Sequence, residues 1–175
     1  MNINLQIKKE ADEFLYDLGL MSVLQEYTHE DNIFISGSYK LDTMAWRDID
    51  IYMDINNITQ DIVYEMMFKF IGKFRPVWYE SKDSFKEDTG CPKGYFIGFE
   101  TFAVCEHLWN VDIWITDRNT INDNIEMMSK WLNLLDNDSR NEIVKKKQEL
   151  MESGEYGESV FSVDIYNTVL NIVSD

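Results

Sequence analysis

The sequence predicts an α+β fold: a mixed β-sheet flanked by helices, with a helical C-terminal part. Three observations carry that reading. Amphipathic segments and short β-type runs follow one another in the order helix, strand, helix, strand, helix, then three strands. The remainder reads as three consecutive helices, separated by Asp136-Asn137-Asp138 and Ser153-Gly154. At 175 residues, 45% hydrophobic and 14% aromatic, the chain can bury a sizeable core and is about one domain long.

From Leu5 to Tyr27, residues Ile7, Ala11, Leu15, Leu18 and Met21 or Leu24 recur at helical steps, with Gly19 as a point of bending or division. A polar stretch from Thr28 to Asn32 precedes the first strand, Ile33 to Ser36. A short helix is expected over Tyr39 to Trp46, directly after Gly37-Ser38. Asp48 to Ile55 predicts the second strand. Asn57 or Thr59 can cap a helix from Gln60 to Lys73, whose Ile62, Val63, Met66, Met67, Phe70 and Ile71 form a broad apolar face. Past Arg75-Pro76, a strand is expected over Val77 to Glu80 and an exposed loop over Ser81 to Lys93. Tyr95 to Cys105 and Trp109 to Thr116, rich in aromatic and β-branched residues, predict an antiparallel hairpin around Glu106-His107-Leu108. Helices are then expected over Asn122 to Leu135, Ser139 to Glu152 and Glu158 to Val173. The expected organisation is a core over residues 1–120 with a helical part, residues 121–175, packed on it.

Sixteen basic residues stand against 32 acidic ones, a net charge of −16. Such a field repels nucleic acid, whose binding rests largely on basic contacts to phosphate, and attracts small cations. Solubility alone accounts for the acidity equally well. No apolar stretch approaches the roughly 20 residues that span a bilayer. The N-terminus, MNINLQIKKEADEF, lacks the apolar core of a signal peptide, so no membrane partner and a cytoplasmic location are expected. Cys91 and Cys105 are too few for a disulfide framework and lack metal-site spacing, which predicts two reduced thiols. A homo-oligomer is compatible with the composition.

Chemistry concentrates between Asn32 and Asn56. On a strand, Asp48 and Asp50 point to the same face, and Ile49 and Ile51 to the other. Two adjacent carboxylates repel and do nothing for a strand, whereas a divalent cation between them turns repulsion into binding, hard oxygen ligands suiting Mg²⁺. Gly37-Ser38 ends a strand before a helix, where unpaired backbone N–H groups favour a phosphate. An ordinary strand–helix turn, and aspartates that merely cap strands, are the plain alternatives.

These residues resemble the signature of the DNA polymerase beta-like nucleotidyltransferase superfamily: an apolar strand ending in Gly37-Ser38, a spacer, then Asp48-Ile49-Asp50 on the next strand. A third carboxylate on a later strand completes that signature, and Asp112, in Trp109 to Ile115 with apolar residues on alternate sides, is the candidate. The resemblance covers about Ile33 to Thr116. It implies a sheet of the nucleotidyltransferase type and a Gly37-Ser38 turn that holds the β and γ phosphates of a nucleoside triphosphate, ATP among the candidates. It further implies Asp48, Asp50 and Asp112 as the catalytic cluster and ligands of two Mg²⁺ ions, with Asp112 nearest the acceptor. Lys40 and Arg47, the basic residues nearest the implied phosphates, are the candidates to stabilise triphosphate charge, Arg47 in a bidentate way; the plain alternative is that both are surface residues.

The implied activity moves a nucleoside monophosphate onto a hydroxyl acceptor, a small molecule favoured and a protein second. The alternative is a non-catalytic nucleotide-binding or scaffolding domain of the same fold. The spacer departs from the commonest pattern, with Met44-Ala45 and Arg47 where glycine and serine are frequent, which leaves the substrate subclass open. Trp46 is expected to line the nucleotide pocket and the other tryptophans to fill the core. His29 and His107 read as structural or exposed, and Lys145-Lys146-Lys147 as a solvated helix face.

Overall fold

Alternating β-branched and aromatic residues build a mixed sheet of five strands among the described residues: β1 (Ile33–Ile35), β2 (Asp48–Met53), β3 (Trp78–Asp83), β4 (Gly94–Thr101) and β5 (Trp109–Thr116). The structure, a computed structural model, describes residues 3–85 and 92–172. Cys91 lies outside them; Cys105 is free and partly buried. The strand order is β1-β2-β5-β4-β3, with β2 and β5 parallel and the other neighbours antiparallel. β4 and β5 pair as the sequence predicts, although β4 stops at Thr101. β3 runs past the expected Glu80 because Ser81, Lys82 and Asp83 find partners in Ile97, Phe96 and Tyr95 of β4. Ladder pairing at that position overrides a loop-like composition.

One face of the sheet is the core. Ile49, Ile51 and Met53 of β2, Val111, Ile113 and Ile115 of β5, and Ile97 and Phe99 of β4 are buried there. Helix α4 (Gln60–Phe74) and the N-terminal helices complete that core. Phe14 meets Phe74 edge-on with ring centroids 5.2 Å apart, and Phe70 stacks on Phe99 at 5.3 Å. Such ring pairs each add about 0.5–1.5 kcal/mol beyond the burial of their area. The N-terminal segment is divided as its glycine suggests. α1 (Ile3–Asp12) passes through one π-helical turn, Glu13–Asp17, and α2 (Leu20–Leu24) starts after Gly19, whose φ is +75°.

α3 is shorter and earlier than expected, Gly37–Leu41 in place of Tyr39 to Trp46. Asp42 ends it in the left-handed region, φ +57°. The buried Asn4 of α1 then takes over the backbone: its amide donates to Asp42 O at 3.1 Å and its oxygen accepts from Met44 N at 2.7 Å. Long-range bonds of this kind end a helix that local propensity would continue.

The C-terminal helices are α5 (Arg118–Leu134), α6 (Asn137–Ser153) and α7 (Ser162–Val169). Asp117 caps α5, accepting from Asn119 N and Thr120 N, and Asp136 with Ser139 forms a capping box on α6. α7 begins four residues later than predicted, after a turn closed by the bridge between Tyr156 and Val160. These helices share a second apolar cluster, Met128, Trp131, Leu135, Ile143, Ile165 and Tyr166, with Leu41 of α3. No helix among the described residues is long and apolar enough to cross a membrane.

Candidate active site

The face of the sheet opposite the main core carries the acids. Asp50 and Asp112 are direct partners in the parallel ladder of β2 and β5, and Asp48 lies one pleat away opposite Asn110. One carboxylate oxygen from each of Asp48, Asp50 and Asp112 lies within 4.8 Å of the others. All three residues are half-buried, and none forms a salt bridge among the described residues. Asn110 Nδ2 donates to Asp48 Oδ1 at 2.8 Å.

The electrostatic consequence is a set of acids that resist ionisation together. Loss of water raises the Asp50 carboxyl well above the usual carboxylate range, and the charges of Asp48 and Asp112 raise it further. Burial also raises Asp48, against the Asn110 hydrogen bond. Asp112 is pushed up to about 6, first by burial and then by Asp48. A cluster of hard oxygen donors that repel one another fits a divalent cation such as Mg²⁺. Asp48, Asp50 and Asp112 are the residues that could hold it.

Gly37 is required beside this cluster for two reasons. Its φ is +62°, and a Cβ at that position would overlap the Asp50 carboxylate. The turn therefore brings the start of α3, with first-turn N–H groups that lack intrahelical acceptors, against the acids. The Ser36 hydroxyl, 2% exposed, donates to Asn124 Oδ1 at 2.7 Å and ties this turn to α5.

A cavity of about 280 Å³ opens over the turn. Ser36, Gly37, Ser38, Asp48 and Asp50 form its floor, and Trp46, Trp131, Tyr156 and Tyr166 form aromatic walls. Trp46 lines it as expected, meeting Tyr156 with ring centroids 4.5 Å apart. Trp131 serves both the second core and the cavity wall. Asp112 is outside this lining, on the side of the cluster toward β4.

The structure corrects three readings of basic residues. Arg47 does not reach the cavity: Nε donates to Glu10 Oε2 at 2.6 Å and Nη2 to Oε1 at 3.1 Å, a largely buried bidentate pair. Arg47 lies in the bend just before β2, its backbone oxygen accepting from Asn110 N, and its side chain turns to α1. Lys40 is exposed and lines a separate groove with Lys8 and Tyr39. Lys147, read as part of a solvated face, is 2% exposed and lines the cavity.

Burial pulls the Lys147 ammonium down to about 8, against the opposing attraction of Asp50 and Asp48, so it remains a cation at neutral pH. Its one protein hydrogen bond among the described residues goes to the Tyr166 hydroxyl at 3.2 Å, leaving two N–H donors unfilled. The signal that could have found it is periodicity. Position 147 continues the buried stripe of Ile143 and Val144 at steps of four and three. His29 and His107 are exposed, and His29 makes local contacts with Asp31, capping a short turn through Asp31 N and lying 3.2 Å from its carboxylate.

No family model matches the sequence, and no curated protein matches it in sequence. Among solved structures the chain is similar to the Cid1 poly(U) polymerase with Mg and 3′-dATP bound. The TM-score is 0.57 at 15% identity, over 93% of this chain and 47% of that one. It is also similar to the STING-associated CdnE c-di-GMP synthase from Capnocytophaga granulosa, with a TM-score of 0.55 at 18% identity, over 96% of this chain and 60% of that one. The chain thus spans about half the length of the poly(U) polymerase. What these likenesses establish is the fold.

Proposed function

We propose that this chain, built on the fold of the DNA polymerase beta-like nucleotidyltransferases, transfers a nucleoside monophosphate from a nucleoside triphosphate to an acceptor hydroxyl, releasing pyrophosphate. One observation carries the reading: three carboxylates converge beside the Gly37-Ser38 turn, and a buried lysine with two unfilled donors faces the same cavity. Acids that repel and a cation short of acceptors are both completed by one ligand, a metal-bound polyphosphate. Two Mg²⁺ ions held by Asp48, Asp50 and Asp112 would neutralise triphosphate charge and lower the pKa of the acceptor hydroxyl.

The residues of the chain supply the rest. Lys147, the Ser38 hydroxyl and the first N–H groups of α3 bind the phosphates. Trp46 and Tyr156 flank the donor, and the buried, mutually stacked Trp131 and Tyr166 back the wall that keeps water from it. Asp112, on the far side of the cluster from the donor cavity, receives the acceptor proton. The acceptor oxygen bonds to the α-phosphorus as the bond from that phosphorus to its bridging oxygen breaks. Positioning and charge supply most of the rate, as in phosphoryl chemistry generally.

The net charge of −16 favours a small, amine-bearing acceptor, with a protein hydroxyl second. It disfavours a polymer acceptor of the kind that the name poly(U) polymerase denotes for its own protein.

Thermal shift with Mg²⁺ across the four ribonucleoside triphosphates tests the donor half. One triphosphate should stabilise the protein more than its diphosphate does, and only with the metal. Pyrophosphate release across an acceptor panel tests turnover. Triphosphate binding without release would reduce the protein to a nucleotide-binding domain, and no triphosphate-specific stabilisation would sink the reading.

A further inference from the structure

We infer that Tyr166 is a positioning residue: its hydroxyl, anchored on Thr43, holds the Lys147 ammonium in the cavity that Asp48 and Asp50 also line, so that its free donors meet the donor phosphates. The inference rests on the proposed function and deepens it. A lysine carries four rotatable bonds, and fixing its ammonium in place gives up most of that rotamer freedom. Something must hold the ammonium where the ligand needs it.

Tyr166 is built for that task. It is 2% exposed and Thr43 is fully buried. The phenol oxygen accepts from Lys147 Nζ at 3.2 Å and lies in close hydrogen-bond contact with Thr43 Oγ1. An ammonium only donates, so the phenol accepts from it and its own proton is free for the threonine. The ring is braced by stacking on Trp131, centroids 4.6 Å apart and planes 17° apart.

Thr43 is fixed in turn. Its N–H donates to Ser38 O at 2.9 Å, and the next residue, Met44, donates to Asn4 Oδ1. A continuous path, Ser38 to Thr43 to Tyr166 to Lys147, thus joins the phosphate-binding turn of α3 to the cation on α6. The path crosses elements far apart in the chain, and it sets the distance between two groups that must grip one polyphosphate.

Two measurements on the full chain test this. In the metal-free protein, labelling of Lys147 by trinitrobenzenesulfonate, followed by peptide mass spectrometry, reports how firmly the ammonium is held. Tyr166→Phe keeps the ring and its stack, and should speed labelling of Lys147 several-fold relative to the other lysines. Thr43→Val should do the same more weakly. Unchanged labelling in both variants overturns the inference whatever the ligand.

Calorimetry with Mg²⁺ and inorganic tripolyphosphate then reads the consequence without a base. Tyr166→Phe should weaken binding about tenfold, the scale of one hydrogen bond to a charged group. In a Lys147→Met background the same change should cost nothing, because Tyr166 acts through the lysine. An equal loss in both backgrounds overturns the inference. A wild-type chain that binds no tripolyphosphate, while labelling responds to Tyr166→Phe, sinks the proposed function and leaves the hold on Lys147 standing.

Discussion

Asp50 carries a heavy electrostatic load, with two carboxylates beside it and little water to share the charge. Asp50→Asn should therefore stabilise the metal-free protein, raising its Tm by roughly 2–6 °C. The same substitution should abolish the added stability that Mg²⁺ with a triphosphate gives. A fall in metal-free Tm, or an unchanged response to the metal, would contradict the assignment. The pH dependence follows from Asp112. Its carboxyl is raised to about 6 from an ordinary 3.8, so the folded state holds an extra proton between those values, and metal-free stability declines as pH rises through that window. Metal competes with that proton. Mg²⁺ affinity, measured by calorimetry, should fall as pH is lowered through about 6, by roughly tenfold per unit or more, because the raised Asp50 and Asp48 carboxyls must also give up protons to the metal. The aspartates were legible because a strand has a period of two, which places every second residue on one face. Lys147 was hidden by its neighbours, since three lysines in a row read as solvent-facing although only the third is buried.

Elements were legible where local chemistry and tertiary contacts agree. α4 begins at Gln60 after Thr59, whose hydroxyl accepts from Ile62 N at 3.4 Å, as the capping rule anticipates. Thr59→Ala should cost about 1 kcal/mol, read as a drop of about 2–4 °C in Tm, with no change in nucleotide response. A shift in that response would mean that α4 is coupled to the site, which the sheet between them argues against. Boundaries failed where distant partners intervene. β3 extends along β4 because the ladder offers partners to polar residues, and α3 stops at Asp42 because Asn4, 38 residues earlier, captures the chain. Neither partner is visible in a local window of sequence.

The molecule as a whole carries a net charge of −16, and its like charges repel more in the folded state, where they are closer. Raising NaCl from about 0.02 M to about 0.2 M shortens the screening length to about 10 Å or less and should raise the Tm by a few degrees, a loss of stability instead counting against the self-repulsion. The sequence by itself determined the mixed α+β architecture and the acidic face of β2 and β5. Residue periodicity is a local property, and burying the apolar side of each strand leaves the aspartates only the other side. Tertiary structure alone decided which cations meet those acids, sending Arg47 to Glu10 and bringing Lys147 in from α6. A charge in a cavity is placed by the packing of helices far along the chain, and no spacing between neighbouring residues encodes that meeting.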